Sequence, residues 1–171
     1  MSLLPCLEKL HVKTIIDDTL ILEEFDKSKH MKFAKDIMDM DEELTRVNAR
    51  YNPAVFDNEE SFGKISYEKY IDLLLNNHWR LFVAIHDNKC IGYIHTSPGK
   101  YKNSVYIGSF VVTKHYAGKG YGKLMMSKLE ELIKNEYSIM ILNVAIDNKP
   151  AVKLYTKAGF HPSFMMMSKK F

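Results

Sequence analysis

The sequence predicts an α/β protein of the α+β type, with a mixed and mainly antiparallel central sheet flanked by about four helices. Three strand-like runs follow one another with short connections between Arg80 and Val112, which is typical of an antiparallel meander. A glycine-rich turn, a helix and another strand come next, which is the order of a right-handed parallel crossover. Together these patterns predict a mixed sheet with helices on its faces.

Composition supports one domain and excludes several classes of protein. At 171 residues the chain is long enough to bury a core, and no apolar run approaches the ~20 residues that span a membrane. The first residues lack the basic and apolar regions of a secretory signal. Cys6 and Cys90 match no metal-ligand spacing, so we expect two free thiols, no metal and a cytoplasmic location.

Charge is distributed unevenly along the chain. Up to Arg80 there are 16 acidic and 11 basic residues, a net charge of −5, whereas the remainder has 5 acidic and 13 basic residues, a net charge of +8. The basic half contains the glycine-rich turn and suits a polyanionic ligand. Its basic residues are dispersed and show no helix-turn-helix or stacked-aromatic signature, so we expect no nucleic-acid partner.

The chain begins with a segment that shows no clear period. We take residues 1–18 as an N-terminal extension, in which Leu3–Leu10 is compatible with a short helix, and residues 19–171 as the domain. Thr19–Phe25 is typical of a strand, the first of the predicted sheet.

Two helices are expected before the meander. The first begins with Ser28 as its N-cap and ends near Arg46. A broken loop, Asn48–Lys64, follows, and so long a connection in a compact domain is often functional. Ser66 then caps the second helix, Tyr67–Asn76.

The meander supplies the next three strands. Arg80–His86 and Lys89–Thr96 are joined by Asp87-Asn88, which indicates a hairpin. Ser104–Val112 forms the next strand and contains Gly108, a residue that in a strand often marks a bulge or the close approach of another group.

The last part of the chain alternates between helices and strands. The pattern predicts a helix from about Gly120 to Lys134 and a nearly all-apolar strand, Tyr137–Ala145, covered on both faces. Asn148 caps a further helix that ends at Gly159. Phe164–Lys169 is predicted as a last strand whose three consecutive methionines fill the core.

The segment His115–Lys123 is the feature that most directly suggests a ligand. A strand, a glycine-rich turn and a helix N-terminus together bind phosphate, because glycines permit close approach and positive φ while the first helical amides point at the anion. The two lysines in the turn add positive charge. The spacing of Gly118, Gly120 and Gly122 differs from the G-x-G-x-x-G of a dinucleotide-binding fold.

Three segments at fixed spacing complete the pattern: the strand end Phe110–Val112, the turn Gly118–Gly122 and the segment Asn148–Phe160. Together they resemble the GNAT superfamily of N-acetyltransferases. The specific match covers Tyr106–Phe160, and the order of elements agrees from Thr19 onward. The resemblance implies a sheet that splays between its fourth and fifth strands, with acetyl-CoA in the opening as acyl-donor cosubstrate.

The resemblance also implies which residues bind this donor. Its pyrophosphate is expected on the backbone amides of Gly118, Lys119, Gly120, Tyr121, Gly122 and Lys123. Its pantetheine is expected along the backbone of Phe110, Val111 and Val112, with Asn148 holding the arm. A helix N-cap is an equally good role for Asn148, and the two roles are compatible.

Two residues receive catalytic roles by resemblance. The backbone amide of Phe110 is the position that holds the thioester carbonyl oxygen while negative charge develops on it. Tyr155 matches the tyrosine that protonates the departing CoA thiolate, although the same residue also suits the apolar face of its helix. Ala117 departs from the family pattern, which has arginine or glutamine there, and nearby lysines, Lys114 among them, are expected to compensate.

No general base is assigned from the sequence. Tyr106 occupies the position of the glutamate that many family members use, and no carboxylate occurs within Asn103–Val112. The remaining candidates are a water held by Tyr106, Ser109 or Asn143, and a carboxylate from Asp39–Glu43 or the loop after it. His86 and His95, on neighbouring strands, are interpreted as structural residues.

The predicted function is transfer of an acetyl group from acetyl-CoA directly to a primary amine of a small molecule or peptide. An acidic cluster at the end of the first helix suggests that this amine is cationic; it consists of Asp39, Asp41, Glu42 and Glu43. The alternative is a non-catalytic module of the same fold that binds or senses acyl-CoA. We expect a monomer or a homodimer.

Overall fold

The computed structural model describes residues 19–53, 65–76 and 78–169. These residues form one sheet of five strands in the order β1-β2-β3-β4-β5. The strands are β1 Ile21–Glu24, β2 Arg80–His86, β3 Lys89–Pro98, β4 Ser104–Val112 and β5 Ile139–Leu142. Strands β1 to β4 pair antiparallel and β5 pairs parallel with β4, which confirms the mixed, mainly antiparallel sheet.

Helices cover both faces of the sheet. They are α1 Lys27–His30, continued by a 3-10 turn Met31–Phe33, then α2 Ala34–Tyr51, α3 Tyr67–Leu74, α4 Tyr121–Ile133 and α5 Lys149–Lys157. One core packs α2 and α3 against side chains such as Tyr93 and Val111, and a second packs α4 and α5 against side chains such as Phe110. Because side chains alternate along a strand, neighbouring residues of β4 face different helix layers.

The helix boundaries confirm some predicted caps and correct others. Asp26, not Ser28, caps the first helix, because its carboxylate accepts the backbone N–H of Ser28 at 2.7 Å. Ser66 caps α3 as predicted, accepting the N–H of Lys69 at 3.3 Å. The helix α5 terminates at Gly159, whose φ of 92° is the left-handed conformation expected there.

The meander contains the two irregularities that the sequence indicated. Asp87 and Asn88 have φ of 49° and 59°, the left-handed values of a tight type I′ hairpin turn. In β4, His95 faces Ser109 while Thr96 faces Ile107, so the residue between them, Gly108, is the extra residue of a bulge. A Cβ atom on Gly108 would lie 2.5 Å from the Trp79 ring, so both predicted reasons for a glycine apply.

The fifth strand is shorter and less covered than predicted. Pairing between β4 and β5 runs from Ser104 and Ile139 to Ile107 and Leu142 and stops there. The prediction of a strand Tyr137–Ala145 covered on both faces is therefore wrong in its bounds and in its burial. Strand β5 is limited to Ile139–Leu142, Ile139 is 48% exposed, and the other three residues are only partly buried. The crossover β4–α4–β5 itself is confirmed.

The predicted last strand, Phe164–Lys169, is also wrong. Residues 161–169 have no strand pairing. The exposed fractions of Phe164, Met165, Met166 and Met167 are 86%, 78%, 72% and 86%. These methionines therefore do not fill the core. The prediction failed because an apolar run without alternation does not indicate whether a neighbouring strand is available to pair with it.

Several expectations lie outside the described residues. They are the extension 1–18 with its short helix Leu3–Leu10, the thiol of Cys6 and most of the loop Asn48–Lys64, the start of which belongs to α2. Cys90 is a buried free thiol. No helix in the described parts of the chain has the length and apolar character to cross a membrane.

Candidate active site

The two parallel strands separate beyond Ile107 and Leu142 and leave one edge of β4 open. The N–H of Thr113 donates a hydrogen bond to the carbonyl of Ile91 at 2.8 Å. This bond shows which residues of β4 direct their backbone groups toward β3. In an antiparallel ladder this bonding alternates, so Phe110 and Val112 direct their N–H and C=O groups away from β3 and into the opening. The opening is therefore an edge at which an extended ligand can pair.

A cavity of about 110 Å³ occupies the opening. Leu44 and Asn48 of α2 line it on one side of the sheet, and Ala151 and Tyr155 of α5 line it on the other. Between them its walls are residues of β4 and of the segment that follows β5, among them Gly108, Ser109, Phe110, Asn143 and Val144. The cavity thus passes between the strands and is reached from both helix layers.

Tyr155 lies at the α5 side of this cavity. Its ring packs edge-on against Phe110, with centroids 6.0 Å apart, and against Phe160 at 5.8 Å. Burial raises the pKa of the Tyr155 phenol to about 12. The phenol therefore keeps its proton at neutral pH and is a chemically suitable proton donor.

Asn148 combines a structural position with a place at the cavity. Its side-chain oxygen accepts the N–H of Ala151 at 3.3 Å and so caps α5. The same residue lines the cavity. An asparagine that caps through its oxygen retains the two hydrogens of its amide nitrogen, which a ligand can accept.

The glycine-rich turn follows directly from the open edge of β4. Gly118 and Gly120 have φ of 74° and 94°, so the turn takes left-handed conformations at two positions. The N–H of Leu124 makes the first bond of α4, to Gly120 at 3.2 Å, and the amides just before Leu124 point out of the start of the helix. Lys119 and Lys123 are exposed beside them.

Of the three lysines expected to compensate for Ala117, which are Lys114, Lys119 and Lys123, the first is engaged in an ion pair. Lys114 forms an ion pair with Glu43 of α2. Ala117 itself is exposed in the turn, and Lys119 extends over the ring of Tyr116 at 5.9 Å from its centroid. Lys119 and Lys123 are therefore the remaining candidates to supply the positive charge that would compensate for Ala117.

Only some of the residues considered as a general base, or as holding a water that acts as one, lie at the cavity. Tyr106 and Asn143 meet across the strands, since the Asn143 amide donates to the Tyr106 hydroxyl at 3.2 Å. Among the described residues that line the cavity, none is a carboxylate. The sequence therefore identifies hydroxyl and amide groups at the cavity but no base.

The two strand histidines make hydrogen bonds within the fold. His86 contacts the Thr19 hydroxyl at 2.9 Å through Nδ1 and the Tyr121 hydroxyl at 3.1 Å through Nε2. The Nε2–H of His95 donates to the carbonyl of Leu74 at 2.6 Å, and burial lowers the pKa of this imidazole. Both environments agree with the structural role expected for these residues.

The acidic residues of α2 do not act as one cluster. Asp39 pairs with Lys35 at 2.5 Å, Glu42 pairs with Arg46 at 3.1 Å, and Glu43 pairs with Lys114. An open groove of about 460 Å³ lies between α2 and β4, with three carboxylates on its wall, those of Asp36, Asp39 and Glu43. Asp41 instead contacts the buried strand β3, where it accepts the hydroxyl of Tyr93.

Three aromatic residues near the cavity were not identified from the sequence. Trp79 packs against His95 in a tilted arrangement, with ring centroids 4.3 Å apart, and covers Gly108. Tyr93 and Tyr70 are buried against Asp41. In the sequence Tyr93 is one member of an apolar run, and nothing in that run distinguishes its hydroxyl from a core aromatic.

Comparison with protein families gives a match over most of this region. The model of the acetyltransferase (GNAT) family matches residues 41–160. The uncharacterized N-acetyltransferase YycN of Bacillus subtilis (strain 168) is 27% identical over 114 residues, which are 62% of this chain and 73% of that protein. The match includes the open strand, the glycine-rich turn and α5.

Solved structures show the same fold. A mutant of the BH1408 protein from Bacillus halodurans superposes with a TM-score of 0.70 at 14% identity, covering 88% of this chain and 99% of that chain. The crystal structure of YycN gives 0.64 at 21% identity over 90% and 99%. An aminoglycoside acetyltransferase from an uncultured soil metagenomic sample, in complex with sisomicin, gives 0.62 at 17% over 91% and 99%.

Proposed function

Because this chain belongs to the GNAT family of acetyltransferases, we propose that it transfers an acetyl group from acetyl-CoA directly to a primary amine of a small molecule or peptide. The observation that carries this proposal is the open edge of β4. Phe110 and Val112 present backbone groups there, Tyr155 stands at one end, and the glycine-rich turn continues from the other. A pantetheine arm and a pyrophosphate need these features in this order.

The residues present fit this donor. The left-handed Gly118 and Gly120 let the turn wrap an anion, and the start of α4 directs amides and positive potential toward it. In the proposal the amides of Gly118–Lys123 bind the pyrophosphate, and the edge formed by Phe110, Val111 and Val112 pairs with the pantetheine. The thioester of acetyl-CoA supplies the activated acetyl group.

Two groups act on charge that develops during transfer. The N–H of Phe110 points into the opening and is proposed to donate to the thioester carbonyl oxygen, a contact that can lower the barrier by ~3 kcal/mol. The Tyr155 phenol is proposed to protonate the departing thiolate, and the amide of Asn148 to hold the pantetheine arm. The raised pKa of Tyr155, about 12, supports the acid role because the proton is present at neutral pH.

The proposed acceptor is a cationic amine. The groove between α2 and β4 has the carboxylates of Asp36, Asp39 and Glu43 on its wall and reaches Val111 on the open strand. Carboxylates around such a groove attract cations before binding. Asp39 and Glu43 already pair with Lys35 and Lys114, so this attraction rests mainly on Asp36. A structural relative described as an aminoglycoside acetyltransferase, solved with sisomicin, also favours a polycationic acceptor.

A second candidate function is a non-catalytic acyl-CoA-binding module. Two features favour it: Tyr106 stands where many family members have a glutamate, and Ala117 replaces the usual arginine or glutamine. The absence of a carboxylate among the described cavity residues points the same way. The cytoplasmic location, the 1–18 extension and the oligomeric state stay predictions.

One experiment separates the two functions. Acetyl-CoA is titrated by calorimetry, and release of CoA thiol is then followed with aminoglycosides, polyamines and peptides with a free N-terminus. The enzyme releases CoA in proportion to acetylated amine, confirmed by mass spectrometry. Tight binding of acetyl-CoA without thiol release on any amine would overturn the enzymatic proposal and leave the binding module.

A further inference from the structure

A buried hydrogen-bonded cluster lies beside the cavity, between α2, α3 and β3. The hydroxyl of Tyr93 donates to Oδ1 of Asp41, and the buried Tyr70 lies close enough to the same carboxylate for its charge to raise the pKa of the Tyr70 phenol. Tyr93 is 0% exposed and Tyr70 is 1% exposed. Burial and the neighbouring Asp41 raise the pKa of Tyr93 well above its usual range, so its phenol remains a proton donor to the carboxylate.

Ser109 connects this cluster to the cavity. It faces His95 across the β3–β4 ladder, which places its side chain diagonal to Tyr93 on the same face of the sheet. Diagonal neighbours on one face are within reach of an aromatic side chain, and the Ser109 hydroxyl opposes the rise in the pKa of the Tyr93 phenol. Ser109 also lines the cavity, so it lies between the ligand space and the buried tyrosine.

The position of Asp41 on α2 agrees with this connection. Leu44 and Asn48, three and seven residues after Asp41, line the same cavity. Residues at these spacings share one face of a helix, so the carboxylate lies one turn from the ligand space. Tyr93 and Ser109 stand between the carboxylate and the cavity.

We propose, on the basis of the proposed function, that Ser109, Tyr93 and Asp41 form a proton relay that deprotonates the acceptor ammonium. An N–H proton of the ammonium passes to Oγ of Ser109, the Ser109 hydroxyl proton passes to the Tyr93 oxygen, and the Tyr93 proton passes to Oδ1 of Asp41. One ammonium and one carboxylate become one neutral amine and one carboxylic acid. Asp41 is half-buried and returns this proton to solvent between turnovers.

The relay and the proposed acid lie on opposite sides of the sheet. Ser109 faces the α2 layer, as does Val111, whereas Tyr155 packs with Phe110 in the α4–α5 layer. The acceptor is therefore deprotonated from one side of the opening while the thiolate is protonated from the other. This separation keeps a proton donor and a proton acceptor from neutralising each other.

Four titratable groups surround the carboxylate in the described structure. Tyr70 faces it from α3, Tyr93 and His95 face it from β3, and Glu42 lies beside it on α2. The Nε2–H of His95 is held by the carbonyl of Leu74. The relay therefore passes through Tyr93, whose hydroxyl bonds Asp41 and which lies diagonal to Ser109 on the same face of the sheet.

The first test compares Asp41→Asn with Asp72→Asn, an exposed α3 carboxylate paired with Lys27. With an alkylammonium acceptor, Asp41→Asn should lower kcat/KM by ~100-fold, the usual scale of general-base catalysis, and Asp72→Asn should leave it unchanged. With methoxyamine, which is already neutral at pH 7, Asp41→Asn should react at the wild-type rate. Equal loss with both amines would show a structural role and overturn the relay.

The pH profile supplies a second readout. The acidic limb of kcat/KM in the wild type should disappear in Asp41→Asn, where the rate instead follows the fraction of free amine up to the pKa of that amine. In the protein without acetyl-CoA, carbon-detected NMR of the Asp41 carboxyl should titrate at the same pH as the lost limb. An unchanged limb, or a carboxyl titration at another pH, would overturn the relay.

Two further variants interrupt the same path. Tyr93→Phe and Ser109→Ala should both reproduce the selective loss with the alkylammonium acceptor, while calorimetry shows unchanged acetyl-CoA affinity. Ser109→Ala removes one hydroxyl from a half-buried position and reports on the relay where a core variant does not fold. Wild-type protein that releases no CoA with any amine would overturn the proposed function and the relay together, whereas turnover without these selective losses would overturn the relay alone.

Discussion

At the scale of single residues, the cavity has two hydroxyl side chains on opposite sides of β4. Ser109 belongs to the α2 layer and Tyr155 to the α5 layer, and both line one cavity. Burial raises the pKa of Tyr155 to about 12, whereas Ser109 lies diagonal to Tyr93, whose hydroxyl bonds the carboxylate of Asp41. The chemistry of each hydroxyl is thus set by what it contacts.

Replacing Tyr155 by Phe should lower kcat by ~100-fold and leave acetyl-CoA affinity nearly unchanged, because the phenol proton is needed only when the thiolate leaves. Calorimetry and steady-state kinetics measure the two quantities. Tyr137→Phe, a half-buried tyrosine packed against the same core, is the matched control and should retain activity. Equal loss of affinity and turnover in Tyr155→Phe would refute the acid role.

The pKa of Tyr155 also determines a pH dependence. Its pKa is raised from 10.0 to about 12, so the folded protein holds this proton where the unfolded chain loses it. The associated stability is fully present below pH 10 and is lost as pH rises from 10 to about 12. Denaturant unfolding should show a steeper alkaline loss of stability in the wild type than in Tyr155→Phe.

At the scale of elements, one residue at the start of helix α5 combines helix capping with a place at the cavity. Asn148 caps the helix through its oxygen, and its amide hydrogens remain for the cavity. In the turn before α4, the positive φ angles of the glycines allow the amides proposed to bind the pyrophosphate to converge. In both elements a substitution can separate stability from binding.

Asn148→Ser should separate the two roles of this residue. Serine retains a capping oxygen, so the melting temperature should stay close to that of the wild type, whereas Asn148→Ala should lose ~1 kcal/mol of stability. Both variants lack the amide donor and should bind acetyl-CoA about fivefold to tenfold more weakly, the value of one hydrogen bond. Full affinity in Asn148→Ser would show that the residue acts only as a cap.

Gly118→Ala should lower both stability and acetyl-CoA affinity. The added Cβ meets nothing within 4 Å, but the φ of +74° is strained for alanine and costs ~1 kcal/mol. Gly159→Ala is the matched control, because its φ is +92° and its Cβ also meets nothing within 4 Å. Thermal unfolding should show similar losses for both, while calorimetry should show weaker acetyl-CoA binding for Gly118→Ala alone.

Local periodicity predicted most of the helices and strands. It failed where the formation of a strand depends on pairing with another strand. Arg80–His86 and Ser104–Val112 occur with the predicted bounds because alternation and turn residues are local properties. The prediction of a strand at Phe164–Lys169 failed because a strand requires a neighbouring strand to pair with, and an apolar run does not indicate one. The first helix was assigned the wrong cap because Asp26 and Ser28 are both good capping residues, and only the backbone geometry distinguishes them.

At the scale of the whole molecule, the residues proposed to bind the donor form a pattern in the sequence, and those proposed to act on the acceptor do not. Glycines, a cap and a tyrosine follow one another closely in the chain, so their spacing predicts a site. Asp41 and Tyr93 are 52 residues apart, and their contact exists only because α2 packs on β3. No sequence spacing indicates such a pair.

The uneven distribution of charge along the chain agrees with the proposed positions of the donor and the acceptor. The part from Leu81 onward has a net charge of +8 and contains the turn, whereas the preceding part has −5 and includes the acidic helix α2. The charges therefore favour a polyanionic donor near the turn and a cationic acceptor near α2. The donor half of this arrangement can be tested by salt alone.

Acetyl-CoA affinity should weaken steadily as salt is raised toward 1 M, where the Debye length falls to about 3 Å and exposed lysines no longer attract the pyrophosphate. Lys123→Gln should bind more weakly at low salt and show a shallower salt dependence, because one contributing charge is absent. Lys69→Gln, which removes an exposed lysine from α3, should retain the wild-type dependence. Isothermal titration at four salt concentrations measures the slopes. An affinity independent of salt in the wild type would contradict an anion site built by the turn, and identical slopes in the two lysine variants would show that the attraction comes from the net charge of the protein instead of from this turn.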